Sequence, residues 1–228
     1  MSIVECVDVK KTYQQGKVEV HALRGVDLSI DKGGFMALVG PSGSGKTTML
    51  NMIGGLDIAD SGQIVVDDNA YEKMNPSQLA DLRLHHVGFV FQAYNLIPVL
   101  SALENVEFVM LLQGVPSAER QDRAKAILDE VGLEGMYDRR PAELSGGQQQ
   151  RVAVARAIVS DPSIVLADEP TANLDSESGK GLLEIMKEMN EKKHVTFIFS
   201  THDDMVMAYA RRIVYLRDGL VIDDRTKQ

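Results

Sequence analysis

The segment Gly40-Pro41-Ser42-Gly43-Ser44-Gly45-Lys46-Thr47 has the spacing G-x-x-x-x-G-K-[ST], and its residue types meet the needs of polyphosphate binding. Glycines let consecutive backbone N–H groups turn inward around phosphate oxygens with no Cβ in the way. A helix opening at the lysine points its positive end at the same anion. Lys46 has the reach and charge for β- and γ-phosphates. The Thr47 hydroxyl can ligate Mg²⁺, and Thr48 follows it in the cradle.

Two more segments carry chemistry once that loop is present. The apolar run Ile164-Val165-Leu166-Ala167 ends in Asp168-Glu169. Ligands gather at the carboxyl ends of strands in open α/β sheets. Asp168 is therefore expected to hold Mg²⁺ through water, and Glu169 to orient and deprotonate an attacking water. Taken alone, this pattern fits a solvated acidic turn better. Leu144-Ser145-Gly146-Gly147-Gln148 opens a further helical run. Ser145 is a good N-cap, and the paired glycines expose backbone N–H groups at a positive helix end, a second phosphate-binding terminus.

The elements that must position these groups follow from hydrophobic periodicity. Residues 3–30 alternate apolar and polar, punctuated by Gly16 and Gly25, which predicts a small antiparallel β unit. Residues 35–39 predict a buried strand, 47–56 a helix, and 64–67 and 87–91 further strands. Helical period sets in over 101–158, with helices at 118–131 and 146–158 separated by Pro141. Strands at 164–167, 196–200 and 213–216 complete the chain, with a helix at 178–192. Strand–helix alternation predicts a parallel sheet with crossovers, and the middle block reads as an inserted helical lobe.

Composition narrows the function classes. The 228 residues suit one large α/β domain or two closely packed lobes, and 44% hydrophobic with 25% charged residues is ordinary for a soluble globular chain. A net charge of −9 argues against nonspecific nucleic-acid binding, which needs a basic footprint. Cys6 is the only cysteine, so no internal disulfide is possible. The first residues lack the basic and apolar regions of a signal peptide. No stretch approaches the ~18 apolar residues of a membrane span. The expectation is a soluble chain whose membrane part, if any, comes from a partner.

The order of phosphate loop, Leu144-Ser145-Gly146-Gly147-Gln148 and acidic strand resembles the ATP-binding-cassette ATPases across nearly the whole chain. The resemblance implies a P-loop NTPase ABC ATPase fold of the α/β class. That fold has a RecA-like core, an antiparallel β subdomain and an inserted helical subdomain. Residues 1–228 would form one nucleotide-binding domain. Residues 1–91 and 159–228 would be the ATP-binding core with its β subdomain, and 92–158 the helical signature subdomain. The implied cofactors are ATP and Mg²⁺, and the implied reaction is ATP hydrolysis.

The family's site residues carry over position by position. Tyr13 stands where the family stacks an aromatic ring on adenine, and Gln92 where a glutamine contacts metal and water. Asp168 and Glu169 match its metal acid and catalytic base. Ala172-Asn173-Leu174-Asp175 matches its D-loop, and His202 within Thr201-His202-Asp203 its γ-phosphate switch histidine. Singly, Tyr13, Gln92 and His202 would pass as ordinary strand or surface residues. His21, His85, His86 and His194 have no motif context and read as structural. In this family the signature helix serves the partner's nucleotide. Ser145, Gly146, Gly147 and Gln148 of one chain would complete the phosphate shell begun by Lys46 of the other, in a head-to-tail homodimer.

Residues 91–106 are similar to the lipoprotein-release and macrolide-exporter branch, which reads F-Q-x-x-N-L-[IL]-P-x-L-[ST]-x-x-E-N-V. Ala172 departs from that branch's glycine, and Gly34 stands where an acid is common. By resemblance, an integral membrane permease would dock near residues 94–105. Its anchors would be Leu96, Ile97, Val99 and Leu100, with the ATPase peripheral on the cytoplasmic face of the inner (cell) membrane. The alternative is that the same residues pack the helical lobe, and both can hold. Three alternatives stay open: a cell-division ATPase signalling through a similar permease, a soluble cassette protein of DNA repair or translation, and a pseudo-ATPase clamp. Compactness, a single cassette, one cysteine and acidity disfavour the second. The presence of Gln92, Glu169 and His202 disfavours the third.

Overall fold

Strands β1 (Ser2–Gln15) and β2 (Val18–Asp31) form a long antiparallel pair. The computed structural model describes residues 1–16 and 18–227. Next come β3 (Phe35–Val39), α1 (Lys46–Ile53), β4 (Ser61–Val66), β5 (Asn69–Ala70), α2 (Pro76–His86) and β6 (Val87–Val90). Three helices follow: α3 (Ala102–Leu112), α4 (Ser117–Glu130) and α5 (Gly146–Ile158). The chain closes with β7 (Ile164–Asp168), α6 (Ser176–Lys193), β8 (Thr196–Thr201), α7 (Asp204–Tyr209), β9 (Arg212–Arg217) and β10 (Leu220–Thr226).

The strands make two sheets. One is antiparallel in the order β2-β1-β4-β5. The other runs β10-β9-β3-β8-β7-β6 and is parallel except for β10. Period-two geometry explains why β3, β7 and β8 are apolar without a break. Phe35, Ala37, Val39, Val165, Ala167, Phe197 and Phe199 face one core, shared with α3–α6. Met36, Leu38, Ile164, Leu166 and Ile198 face a second core, shared with α1 and the antiparallel sheet. Cys6 sits in this second core, where burial pushes its thiol up to about 12. It is a protonated apolar filler there, not a nucleophile.

Caps set the helix starts. Asn75 with Gln78, Ser101 with Glu104, and Ser145 with Gln148 form reciprocal capping boxes on α2, α3 and α5. Asp175 caps α6. Each such cap is worth about 1 kcal/mol. α1 differs: Gly45 precedes it at φ 106° and no side chain caps it among the described residues. Its first-turn N–H groups face the loop in front of them.

Several expected boundaries move. α1 stops at Ile53, not 56, because Gly54 and Gly55 (φ 61°) end it. β6 ends at Val90, and β4 ends before Asp67, which turns off at φ 48°. The helical stretch after residue 101 contains α3 besides the two expected helices. α2, α7 and the edge strand β10 were not anticipated. Among the described residues no helix is long and apolar enough to cross a membrane.

Candidate functional site

Neighbouring parallel strands β3, β8 and β7 run the same way, so their carboxyl ends meet at one sheet edge. β3 delivers the phosphate loop, β7 delivers Asp168 and Glu169, and β8 delivers Thr201 and His202. They open onto a cavity of about 830 Å³. Pro41, Ser42, Gly43, Gly45, Lys46, Thr47 and Thr48 line it, together with Asp168, Glu169, His202, Gln92 and Tyr13.

Gly40 and Ser44 do not line the cavity; they shape the loop from behind. A Cβ at Gly40 would stand 2.1 Å from Leu216 O, so only glycine fits there. Ser44 is buried, and its carbonyl accepts from Gly219 N–H at 3.1 Å. Lys46 is 7% exposed, and its Nζ donates to Gly40 O at 2.7 Å and Pro41 O at 3.1 Å. The ammonium is thus held across the loop by two carbonyls.

At the far end of the cavity the Thr47 hydroxyl lies 3.2 and 3.1 Å from the two carboxylate oxygens of Asp168. A hydroxyl converging on a carboxylate, with the Gln92 amide lining the same cavity, is the hard oxygen donor set that suits Mg²⁺. Glu169 follows at φ 46°, a left-handed conformation that costs of order 1–3 kcal/mol in a non-glycine residue. Its N–H donates to Ser200 O at 2.8 Å, which holds the turn. The Thr201 hydroxyl donates to Glu169 Oε2 at 3.2 Å, and His202 Nδ1 lies 2.7 Å from Oε1. The carboxylate is therefore fixed at both oxygens, while the His202 side chain remains 72% exposed.

Ser145, Gly146, Gly147 and Gln148 stand outside this cavity. Ser145 is exposed, its hydroxyl accepts from Gln148 N–H, and Gln148 Oε1 accepts from Ser145 N–H. Gly146 faces Tyr94 and Asn173, and Gly147 faces Ser178.

Some contacts at the site had no motif to announce them. Arg156 on α5 donates to Asn95 O at 2.5 Å and Tyr94 O at 2.9 Å, pinning two residues of positive φ just after Gln92. Asn173 Nδ2 donates to Gln92 O at 2.8 Å. The Thr171 hydroxyl donates to Asp203 Oδ2 at 2.8 Å, and Asp203 N–H donates to Thr201 Oγ1 at 3.0 Å. These bonds tie the segments of Gln92, Glu169 and His202 to one another. Their only sequence signal is adjacency to the motif residues.

Comparison with known proteins follows the same lines. Residues 23–172 match the family described as ABC transporter. The macrolide export ATP-binding/permease protein MacB of Mannheimia succiniciproducens is 44% identical over 227 residues, covering 100% of this chain and 35% of that one. An uncharacterized ABC transporter ATP-binding protein of Thermotoga maritima is 45% identical over 219 residues, covering 96% and 93%. The chain therefore spans about a third of the length of the MacB relatives it matches. Among solved structures, the ATP-binding cassette MJ0796, a dimer in a post-hydrolysis state bound to ADP and Pi, superposes with TM-score 0.92 at 41% identity over 99% of each chain. With the family match spanning most of the chain and relatives this similar, the chain belongs to the ABC transporter family, as one of its ATPase domains.

Proposed function

We propose that this chain binds and hydrolyses Mg-ATP between two head-to-tail copies and uses the resulting opening and closing to drive a membrane permease. The observation that carries the reading is a division of parts. Lys46, Thr47, Asp168, Glu169 and His202 share one cavity, while the glycine-rich start of α5, capped by Ser145, lies outside it. A phosphate-binding helix end outside its own chain's cavity is useful to a second chain's phosphate.

In this mechanism Tyr13 stacks on the base, and the loop N–H groups with Lys46 hold the β- and γ-phosphates. Thr47, Asp168 and Gln92 would hold Mg²⁺, which neutralises phosphate charge when bound. Glu169, fixed by Thr201 and His202, accepts the proton of the attacking water. His202, with Nδ1 donating to Glu169, presents Nε2 to the γ-phosphate and donates there when both ring nitrogens carry protons. Ser145 and Gly147 of the partner copy close the shell. The closed pair then depends on the γ-phosphate, and hydrolysis releases it. Residues 1–91 and 159–228 act as the ATP-binding core with its β subdomain, and 92–158 as the signature-bearing helical subdomain.

The permease docks near residues 94–105. Val99 is 70% exposed there, and Asn95 of the same segment lines a groove of about 380 Å³ with Phe89, Phe91, Val109 and Arg156. Such an apolar groove suits a short helix of the partner. The MacB relatives, named as combined ATP-binding/permease proteins, support this pairing; the chain would then sit peripherally on the cytoplasmic face of the cell membrane.

Two experiments test the reading. Ser145→Trp is expected to abolish the ATP-dependent dimer in light scattering while leaving ATP affinity of the monomer within about threefold. An unchanged dimer would refute the sandwich. Tagged Glu169→Gln, captured from detergent-solubilised membranes with ATP and Mg²⁺, is expected to bring down a few-helix permease with a large extracytoplasmic domain. Recovery of only soluble proteins or nucleic acid would refute the membrane role.

A further inference from the structure

Tyr13 is held by two side chains that belong to none of the motifs. Its hydroxyl donates to Asp57 Oδ2 at 2.8 Å. Asp57 Oδ1 accepts from Lys11 Nζ at 2.9 Å and from Ile58 N–H at 2.7 Å. Lys11 also donates to Ile58 O at 2.7 Å, and its ammonium stands over the Tyr13 ring, 5.3 Å from the centroid. The Lys11 side chain is 12% exposed and that of Asp57 34%, so this pair is partly shielded from water, unlike a rim salt bridge. Desolvation raises the Asp57 pKa, but the hydrogen bonds from Lys11 and Tyr13 outweigh it and keep the carboxyl below its ordinary range.

The location of Asp57 gives these bonds their meaning. It lies in the turn that directly follows α1, where Leu56 N–H donates back to Asn51 O at 2.9 Å. The same turn grips the strand bearing Tyr13 a second time: Thr12 N–H donates to Asp60 Oδ2 at 2.6 Å, and Asp60 N–H donates to Lys10 O at 2.9 Å. One end of α1 carries Lys46, Thr47 and Thr48, and the turn after its other end fixes the ring that lines the same cavity. The separation between the phosphate grip and the aromatic platform is thereby built into a single helix and its turn. Lys11 stands over the ring, and Tyr13 lines the cavity that would take a flat ligand.

We propose that Asp57, supported by Lys11, is a positioning residue for the nucleobase. It acts through Tyr13, holding the ring at the base-to-phosphate distance of ATP before the nucleotide arrives. A tethered ring has already lost the rotamer freedom that stacking would otherwise remove, so the tether strengthens base binding and leaves phosphate chemistry alone. This rests on the reading of Tyr13 as the base-stacking residue.

The test separates base affinity from phosphate affinity. ATP binding by calorimetry and steady-state hydrolysis are measured for Tyr13→Ala, Tyr13→Phe, Asp57→Ala and the Tyr13→Phe/Asp57→Ala double variant, with inorganic tripolyphosphate as a base-free competitor. Tyr13→Ala is expected to weaken ATP about tenfold or more, the size of one lost base–aromatic stack. Asp57→Ala and Tyr13→Phe are each expected to weaken ATP about fivefold, raising KM with kcat within about twofold. The double variant should be no worse than either single, since both remove one bond. Tripolyphosphate affinity should stay at the parent value throughout. If Tyr13→Ala weakens ATP and Asp57→Ala does not, the positioning role is wrong and the Tyr13 reading stands. If Tyr13→Ala changes nothing, the base reading itself falls. If Asp57→Ala weakens ATP and tripolyphosphate equally, Asp57 supports the phosphate loop and the proposal is overturned.

Discussion

Glu169→Gln is expected to lower steady-state ATP turnover by about a hundredfold or more, while ATP affinity stays near the parent value. The substitution keeps side-chain size and leaves an oxygen for the Thr201 hydroxyl, so the strained turn at residue 169 keeps its anchors. It removes the proton acceptor, a loss worth about two to four orders of magnitude for a positioned base. Lys46, Thr47 and Asp168 are untouched, so the residues proposed to hold the phosphates and Mg²⁺ stay in place. A pair of chains held by an uncleaved γ-phosphate then has no route to open. Light scattering should show an ATP-dependent dimer in Glu169→Gln that the parent forms only transiently. Phosphate release at more than a tenth of the parent rate would mean that another group takes the proton.

The parts of the site that could be read from the sequence are those whose chemistry is local. The phosphate loop, the acid pair ending β7 and the serine-glycine start of α5 each need residues a few positions apart. Their meaning survives without knowledge of the fold. The β3, β7 and β8 strands could be read as well, because burial on both faces leaves continuous apolar runs. Strand order could not, since nothing in a strand's sequence names its neighbour. α3 escaped separate recognition for a physical reason. Ala102, Val106 and Met110 are buried, but Phe108, Leu111 and Leu112 on its other side are exposed and apolar, which blurs the 3.6-residue period. α2 buries only Leu79 and Leu82, and its one clear sign was the Asn75-Pro76-x-Gln78 start. The contacts of Arg156 with residues 94 and 95, and of Asp57 with Tyr13, join elements remote in sequence. Only folding brings them together.

Lys46→Ala is expected to weaken ATP binding by about 10- to 150-fold, the range of one lost charge-assisted hydrogen-bond set worth about 1.5–3 kcal/mol. Two features of the resting loop place the effect toward the upper end of that range. First, the Lys46 residue is only 7% exposed before any nucleotide arrives, so phosphate binding requires little further burial of its side chain. Second, it already bonds to Gly40 O and Pro41 O and so holds the loop in its anion-accepting curve. Alanine loses the charge and also leaves two carbonyls without that donor at the mouth of an anion site, where their partial negative charge opposes phosphate. Lys46→Arg separates these contributions. It keeps the charge, but its planar fork cannot fold back onto the loop as an ammonium does, and it should recover only part of the affinity. Calorimetric titration with ATP and with ADP distinguishes the phosphate reached. A larger loss for ATP than for ADP assigns Lys46 to the γ-phosphate as well as the β-phosphate. Equal losses confine it to the β-phosphate, and parent-like affinity for both would remove it from the binding site altogether.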